Sequence, residues 1–321
     1  MVQDQLRAFV HRYPIVRFAT RQIRVHLPRR FGGLDPSRVP PWNRRFCLDL
    51  PRPADDRRRV GPDTLTLQLP GDLTVPRRLA ASGLSRHEPG SLASFMAILD
   101  HTRPGAVLDI GAGVGVYSML AAARSRCPVF AFEPTPELAS AARSVSASAD
   151  LGFSVVDLAL SNHNGTGHLR RALHNDMCNR LVRTARLGFA HITVRTATLS
   201  RWNETAATYP TVVKIDTAGT EPDVVAGGLE VLRRYRPWVM TKVRPDRGVE
   251  ERLMALLDPL EYRWFPISGA PPYEARTEIS GRASPAWERM WMLAPEEPSS
   301  GFWDSVTVWR EALKKCRSGP A

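Results

Sequence analysis

Lysine is nearly missing from this chain, although the chain is strongly basic. Only four of its 44 basic residues are Lys, and the formal net charge is +12. Residues 1–60 hold 14 Arg against five acids, a net charge of +9, which leaves +3 for the remaining residues. Because the surplus charge is concentrated in one segment and is almost all Arg, it does not by itself predict a nucleic-acid surface.

Cysteine is also scarce, and its spacing excludes the usual cysteine-based sites. The four cysteines lie far apart and form no CxxC pair: Cys47, Cys127, Cys178 and Cys316. This pattern fits neither a zinc site nor a disulfide framework, but it fits free thiols in a reducing compartment. We therefore expect a cytoplasmic protein.

Long hydrophobic runs are absent as well. No stretch approaches the roughly 20 apolar residues needed to cross a bilayer. Arg and His interrupt the first thirty residues every few positions. We expect neither a membrane span nor a signal peptide.

Composition and pattern divide the chain into four parts. We predict an Arg/Pro-rich N-terminal extension (1–60), a strand pair with a helix (61–105), a regular α/β core (106–296) and a helical tail (297–321). The extension is interpreted as an arm that packs on the body or mediates self-association. Contact with an anionic substrate, a membrane surface or RNA is the alternative.

Short apolar runs alternate with helical periodicity throughout the core. They predict strands at 106–110, 128–133, 153–160, 211–216, 237–243, 262–267 and 289–295, after "TLTLQLP" and a weaker strand "LTVPRRL". Strands that alternate with helices indicate a largely parallel sheet with helices on both faces. Because no helix separates the last two strands, we expect the final strand to run antiparallel.

A glycine-rich turn follows the first core strand in "VLDIGAGVGVYS". Asp109 precedes Gly111, Gly113 and Gly115, which gives D-x-G-x-G-x-G. Glycines in a strand–turn–helix unit let a ligand approach the backbone. A dinucleotide site would have its third Gly where this chain has Val116. The spacing instead resembles motif I of the class I methyltransferases, which bind S-adenosylmethionine.

Acids at the strand ends match that ligand. Asp109 can meet its ammonium directly or through water. Glu133 can accept both ribose hydroxyls, or it is a solvated strand end. Asp157 can meet the adenine amine beside Leu158, Ala159 and Leu160, or it is an ordinary turn residue.

With these residues placed, the chain resembles the FkbM family of S-adenosylmethionine-dependent methyltransferases from about residue 64 to 295. The matching segments are "HEPGS", "VLDIGAGVGVYS", "FAFEPTPE", "ALSNHNGTGHL", "ATLSRW", "VVKIDTAGTE" and "MWMLAP".

This resemblance implies a Rossmann-like class I methyltransferase fold with a seven-stranded sheet, and methyl transfer to a hydroxyl of a sugar, polyketide or related metabolite. It carries over the three glycines as the cofactor loop, Glu133 as the ribose ligand and Glu88 as an acid near the methionine end. The predicted cofactor site also includes the loop neighbours Ala112, Tyr117, Ser118 and Pro134. The chain departs from the family pattern at Ala218 and Lys242, where acids are usual.

An alcohol acceptor must lose a proton, so a residue that can act as a base is expected near it. Asp216, at the end of the fourth strand, is predicted to be the base or to orient the acceptor, and a cofactor-side or turn-capping role is the alternative. His174 and His87 are further candidates, although a lone loop His is often merely solvated. The carboxylates supply no obvious metal-ligand set, so we predict no metal site.

The leading hypothesis is therefore an O-methyltransferase that acts on a small hydroxylated molecule. Methylation of RNA or another polyanion guided by the arm is one alternative. A cofactor-binding but inactive scaffold, motivated by Ala218 and Lys242, is another. Nucleic acid is the less favoured partner, and the arm leaves room for a homo-oligomer.

Overall fold

The computed structural model describes residues 43–54, 60–172, 176–182, 184, 191–245, 248–283, 285 and 288–321. The strands are β1 (Asn43–Asp49), β2 (Thr64–Pro70), β3 (Ala106–Ile110), β4 (Val129–Phe132), β5 (Ser154–Val156), β6 (Ala159–Leu160), β7 (Gly165–Arg170), β8 (Arg180–Val182), β9 (His191–Ala197), β10 (Pro210–Ile215), β11 (Trp238–Lys242), β12 (Arg263–Pro266), β13 (Met290–Ala294) and β14 (Ser318–Pro320). The helices are α1 (Thr74–Ser82), α2 (Pro89–His101), α3 (Val116–Arg124), α4 (Pro136–Ala147), α5 (Leu199–Ala206), α6 (Glu221–Gly227), α7 (Leu229–Tyr235), α8 (Val249–Leu257) and α9 (Ser300–Lys315).

A seven-stranded mixed sheet forms the centre of the structure, in the order β12-β13-β11-β10-β3-β4-β5. The strands from β11 to β5 in this order pair in parallel, and β13 runs antiparallel to β11 and β12. Strands β3, β10, β11 and β13 are buried along their whole length. Such strands need cover on both faces, which explains their continuous apolar sequences. The predicted α/β class with a seven-stranded sheet is confirmed.

Helices cover both faces of this sheet. One apolar core contains side chains of α2, α3, α4 and α9, including Phe95, Met119 and Phe302. The other contains side chains of α5 to α8, including Val224 and Leu253. From β3 the chain adds β4 and then β5 toward one edge of the sheet, and from β10 it adds β11 toward the opposite edge. The strand order therefore switches direction between β3 and β10, where ligands bind in open α/β sheets.

A second sheet, β14-β1-β2, joins the two ends of the described chain. Strand β1 lies on the N-terminal side of residue 60 and pairs antiparallel with β2 and β14. The expected strand in "LTVPRRL" is wrong, because helix α1 forms there and β1 is the partner of β2. Pro76 lies in the first turn of α1, where its missing N–H is not needed, and Leu79 lies one turn after Val75 on the buried side. The four predicted domain boundaries stay predictions.

The predicted third strand, 153–160, is divided between two sheets. Strand β5 ends at Val156, and the Leu158 N–H donates to the Val156 carbonyl across a tight turn at Asp157. Strand β6 then joins a small sheet in the order β6-β9-β7-β8. Strands of this small sheet lie beside the carboxyl edge of the central sheet, where Leu169, Arg180 and Leu181 line a cleft. No helix of the described residues is both long and apolar enough to span a membrane.

The glycine turn after β3 provides a matched test of this packing. A Cβ on Gly111 would lie 2.0 Å from the Asp216 carbonyl oxygen, whereas one on Gly113 would meet nothing within 4 Å, and both residues have positive φ. We expect Gly113→Ala to lower the free energy of unfolding by about 1–2 kcal/mol, from left-handed backbone strain alone. Gly111→Ala adds a backbone clash, for a total loss of about 3 kcal/mol or more.

Urea unfolding of the two variants beside the unsubstituted protein measures this difference. Equal losses at Gly111 and Gly113 would contradict the close approach of the β3 and β10 ends.

Candidate functional site

A cleft opens at the carboxyl ends of β3, β4 and β10, at the point where the strand order switches. The volume of the cleft is about 990 Å³ when the part that is open to solvent is included. Predicted site residues that line it are Glu88, Gly111, Ala112, Gly113, Tyr117, Glu133, Pro134, Ala159, Leu160 and Asp216. Predicted residues that do not line it are Asp109, Gly115, Ser118 and Asp157. His174 lies outside the described residues.

Glu133 is fixed to the glycine turn by backbone N–H groups. Gly113 N donates to its Oε2 at 2.9 Å, and Thr135 N donates to its Oε1 at 2.8 Å. The residue is only 5% exposed, and that exposure faces the cleft. Burial raises the pKa of Glu133 to about 7, although hydrogen bonds from the Thr135 side chain and from these two backbone N–H groups, together with the charge of Lys214, oppose the shift. Its charge therefore changes near neutral pH.

An apolar shelf lies beside Glu133. Leu158, Ala159 and Leu160 line the cleft with Phe132 and Leu138. Asp157, expected to meet an adenine amine, points elsewhere: its side chain is 60% exposed and pairs with Arg143 at 2.5 Å. The tight turn between β5 and β6 directs Asp157 outward. The alternative reading of Asp157, an ordinary turn residue, fits this geometry.

Asp109 lies beneath the glycine turn and supports it from the protein interior. Its side chain is fully buried, accepts from Ser118 N and Oγ at 3.2 and 2.8 Å, and pairs with Lys214 Nζ at 2.9 Å. Lys214 also donates to the Gly111 carbonyl at 3.0 Å and lies over the Tyr117 ring, 5.1 Å from its centroid. Asp109 and Ser118 thus belong to an internal network that holds the turn, and neither lines the cleft.

A second buried lysine joins two acids that line the cleft. Lys242 Nζ lies 2.6 Å from Glu88 Oε1 and 2.9 Å from Asp216 Oδ2, and its side chain is 8% exposed. Tyr117 OH donates to the other oxygen of Glu88 at 3.1 Å. Burial alone would lower the pKa of Lys242, but the two carboxylates outweigh it and the net shift is upward. Lys242 therefore stays charged and connects the start of α2 to the ends of β10 and β11.

These contacts make Asp216 a strongly acidic group. Burial raises its pKa, but the charges of Lys242, Lys214 and Arg244 outweigh burial and lower the pKa from 3.8 to about 2. Arg244 Nη2 lies 3.9 Å from Asp216 Oδ1. A carboxyl with this pKa is a weak proton acceptor at neutral pH, which argues against Asp216 as the base.

The turn after Asp216 is held by an acid that sequence reasoning left without a role. Glu221 is fully buried, and its Oε1 accepts from Thr217 N at 3.0 Å and from Gly219 N at 3.1 Å. Burial is the main cause that raises the pKa of Glu221. Ala218, where the family usually has an acid, has a left-handed φ of 59°. Glu221 thus shapes this turn from within.

His87 was one of the weaker candidates for the base, and it lies at the cleft beside Glu88. Its imidazole makes no hydrogen bond to a residue that the structure describes. Burial lowers its pKa; Glu88 opposes the shift, and Lys242, Arg78 and Lys214 reinforce it. His87 is therefore neutral at pH 7 and can accept a proton.

The segment 176–182 covers part of the cleft and contributes Met177, Asn179, Arg180 and Leu181. Asn179 Oδ1 accepts from Ala172 N at 2.9 Å, and its Nδ2 donates to Thr135 Oγ1 at 3.5 Å. Sequence reasoning missed this lining and the ion pairs of both lysines, and it noted Lys242 only as a position where the family usually has an acid. A detectable signal existed for the lysines, because "TVVKI" and "WVMTK" place Lys in buried strands, where a charge requires a partner. Within the described ranges, no group of three or more His, Cys, Asp or Glu could hold a metal ion.

Comparison with known proteins supports the resemblance drawn from the motifs. The family model of the methyltransferase FkbM domain matches residues 109–264, from β3 into β12. The structure of a methyltransferase FkbM from Methylobacillus flagellatus KT shares 12% identity, over 59% of this chain and 43% of that chain, with a TM-score of 0.37. An uncharacterised protein from Burkholderia thailandensis shares 15% identity, over 76% of this chain and 66% of that chain, with a TM-score of 0.24. No curated protein sequence matches significantly.

The domain match confirms the resemblance to FkbM methyltransferases. The match to the solved FkbM protein covers less than half of that protein's length.

Removal of Lys242 tests the ion-pair bridge. We expect Lys242→Met to lower the free energy of unfolding at pH 7 by about 3–5 kcal/mol, because it removes the cation shared by two largely buried carboxylates and leaves Asp216 only the more distant Arg244. Asp216, with its pKa lowered from 3.8 to about 2, stabilises the unsubstituted protein above pH 4, and this contribution is lost as pH falls toward 2. The variant should therefore lose less stability than the unsubstituted protein between pH 4 and pH 2.

Urea unfolding across this pH range measures both effects. Lys314→Met is the matched control, because Lys314 pairs with Glu311 at the exposed surface and its removal should change stability by about 0.5 kcal/mol or less. A loss at Lys242 no larger than at Lys314 would contradict the bridge.

Proposed function

We propose that this chain is an S-adenosylmethionine-dependent methyltransferase that methylates a hydroxyl of a small molecule such as a polyketide, a sugar or a related metabolite. One observation carries the proposal: Glu133, bound to the glycine turn through Gly113, faces a cleft at the switch point of the sheet. The FkbM domain match over the same region supports it. The nature of the acceptor rests on the resemblance alone.

The residues of the cleft fit the ribose and adenine of this cofactor. A carboxylate has about four acceptor positions, and the two backbone N–H groups that Glu133 accepts do not fill them, so it can also accept hydroxyls of a ribose. The space next to Gly113 is open, which allows close approach to the backbone. The shelf of Leu158, Ala159 and Leu160 supplies an apolar surface for a planar base.

The methionine end of the cofactor carries charges of both signs, and so does this part of the cleft. Glu88 and Asp216 are acids that can face an ammonium or sulfonium group, and Lys242 holds both in place. The bound cofactor would supply an electrophilic methyl group. The protein would supply position and exclusion of water, which are large terms in a displacement of this kind.

The acceptor hydroxyl needs a proton acceptor, and the geometry favours His87 over Asp216. His87 lines the cleft and is neutral at pH 7, whereas Asp216 is ion-paired with a pKa of about 2. We assign His87 as the base and Asp216, with Lys242, as the pair that positions Glu88 and the ligand. His174 stays a prediction outside the described residues. Residues 1–42 also lie outside them, so no structural observation supports a polyanion substrate guided by the arm.

Replacement of Glu133 tests the cofactor site. We expect Glu133→Gln to raise the Kd for S-adenosylhomocysteine by about tenfold or more, because a hydrogen bond to a charged group contributes about 1.5–3 kcal/mol. Isothermal titration measures the Kd. Glu297→Gln, a change at an exposed acid paired with Arg263, is the control and should leave the Kd unchanged.

The pH dependence adds a second measurement. Since the charged carboxylate accepts the ribose hydroxyls and the pKa of Glu133 is about 7, affinity should rise as pH increases through 7 in the unsubstituted protein only. Equal Kd values for Glu133→Gln and the unsubstituted protein at pH 8 would refute the ribose role.

Replacement of His87 tests the base. We expect His87→Asn to lower kcat about 10²- to 10⁴-fold, the usual contribution of a general base, while the Kd for S-adenosylhomocysteine stays the same. Transfer of a labelled methyl group to a panel of hydroxylated metabolites measures turnover. In the unsubstituted enzyme kcat should fall as pH drops below the lowered pKa of His87, and the variant should lack this limb.

Asp216→Asn is the comparison variant. Loss of the acidic limb in Asp216→Asn, with the limb intact in His87→Asn, would move the base role to Asp216. Tight cofactor binding with no transfer to any hydroxyl would support an inactive scaffold instead.

A further inference from the structure

The end of the cleft next to segment 176–182 has more cationic than anionic side chains among the described residues. Glu88 and Asp216 are balanced by Lys242 and Arg244. Arg180 also lines the cleft, and no described acid pairs with it. Glu88 and Asp216 are therefore already matched by cations, and Glu133 is held by backbone N–H groups, so the guanidinium of Arg180 has no acid of its own among the described residues.

Two of these guanidinium groups have unused donors. The Nε atoms of Arg180 and Arg244 are both buried, and neither has a hydrogen-bond acceptor among the described residues. A buried donor without an acceptor is costly, so such donors are normally satisfied by a partner. The planar fork of a guanidinium matches the two oxygens of a carboxylate or phosphate. An oxyanion is the ligand that suits these groups.

The surrounding contacts bring the two groups to the same part of the molecule. Arg244 Nη1 lies 3.8 Å from Cys178 Sγ. Arg180 follows Cys178 by two residues, so the Cα atoms of Cys178 and Arg180 are at most about 7 Å apart. Arg244 also approaches Asp216 at 3.9 Å. Hydrogen bonds that join Asn179 to Ala172 and to Thr135 hold the segment 176–182 in place. Arg180 is thus placed on the cleft by a held segment.

Because Arg is common in this chain, the presence of an Arg at the surface does not by itself indicate a binding site. The position of Arg180 in the cleft lining is the informative observation. Arg233 on α7, for example, is exposed and does not line the cleft. Arg180 instead belongs to the cleft lining, which also contains His87 and Asp216. A ligand group held by Arg180 would lie within the same cleft as the assigned base.

We propose that the acceptor carries an oxyanion, a carboxylate or phosphate, which Arg180 binds with the support of Arg244 while the acceptor hydroxyl lies toward His87. This inference rests on the proposed function, because only a methyl-transfer reaction makes the bound molecule an acceptor. Binding of an oxyanion at Arg180 can nevertheless be measured without turnover. It narrows the substrate class from hydroxylated metabolites in general to hydroxy acids or phosphorylated hydroxyl compounds.

The test compares glycerate with glycerol, two compounds that share a three-carbon skeleton and differ in the carboxylate, and adds inorganic phosphate. Each is titrated by calorimetry into protein saturated with S-adenosylhomocysteine. We expect saturable binding of glycerate, of phosphate or of both, and none of glycerol. Arg180→Gln should weaken oxyanion binding by about tenfold or more, the loss expected for a charged, forked contact. The relative Kd values of glycerate and phosphate identify which oxyanion the site prefers.

Two further variants keep the result interpretable. Arg233→Gln removes one positive charge outside the cleft and leaves residues 1–60 unchanged. It should therefore bind glycerate and phosphate with the same Kd as the unsubstituted protein. Arg180→Lys keeps the charge but loses the fork, and it should give an intermediate Kd. An unchanged Kd for S-adenosylhomocysteine shows that each variant is folded.

Equal binding of glycerate and glycerol, or equal oxyanion binding by Arg180→Gln and Arg233→Gln, would overturn the subsite. If S-adenosylhomocysteine fails to bind, the proposed function fails, and the same oxyanion titrations on the protein alone still decide the role of Arg180.

Discussion

Two buried ammonium groups hold the carboxyl edge of the central sheet in its observed shape. Lys214 pairs with Asp109 and donates to the Gly111 carbonyl, and Lys242 pairs with Glu88 and Asp216. Removing a charge from water costs several kcal/mol, so each lysine requires close anionic partners. The glycine turn, the start of α2 and the end of β10 are consequently tied to these two side chains. A chain with only four lysines has two of them at this edge.

Features that depend on local sequence could be predicted well. Continuous apolar runs marked the buried strands of the central sheet, and the spacing of Gly111, Gly113 and Gly115 marked the turn after β3. Positive φ at all three glycines explains why this residue type occurs there. Glu133 could be placed because the end of a strand that follows β3 must lie at the same edge of a parallel sheet. Its two backbone donors come from nearby turns, which local sequence specifies.

Features that depend on distant partners could not be predicted in the same way. Asp109 and Asp157 are both acids near strand ends, yet one is fully buried and the other is 60% exposed. The difference arises because Lys214 enters from the neighbouring strand β10 beneath the turn, whereas a tight turn after β5 directs Asp157 to solvent. Helix α1 was misread because Pro76 breaks a strand but suits a first helical turn. Strand β1 was missed because the charge of residues 1–60 obscured its alternation.

The position of Lys242 links these structural facts to chemistry. An acid at this strand end would add a third carboxylate beside Glu88 and Asp216 and would raise their pKa values by mutual repulsion. A lysine does the opposite: it holds Asp216 ionised and removes its value as a base. In the proposed reaction the proton would therefore pass to a group outside the bridge. The neutral His87 lies in the same cleft and meets this requirement. The bridge also neutralises Glu88 and Asp216, which leaves Arg180 in the cleft lining without an acidic partner among the described residues. The proposed preference of the acceptor site for an anion rests on this unmatched guanidinium.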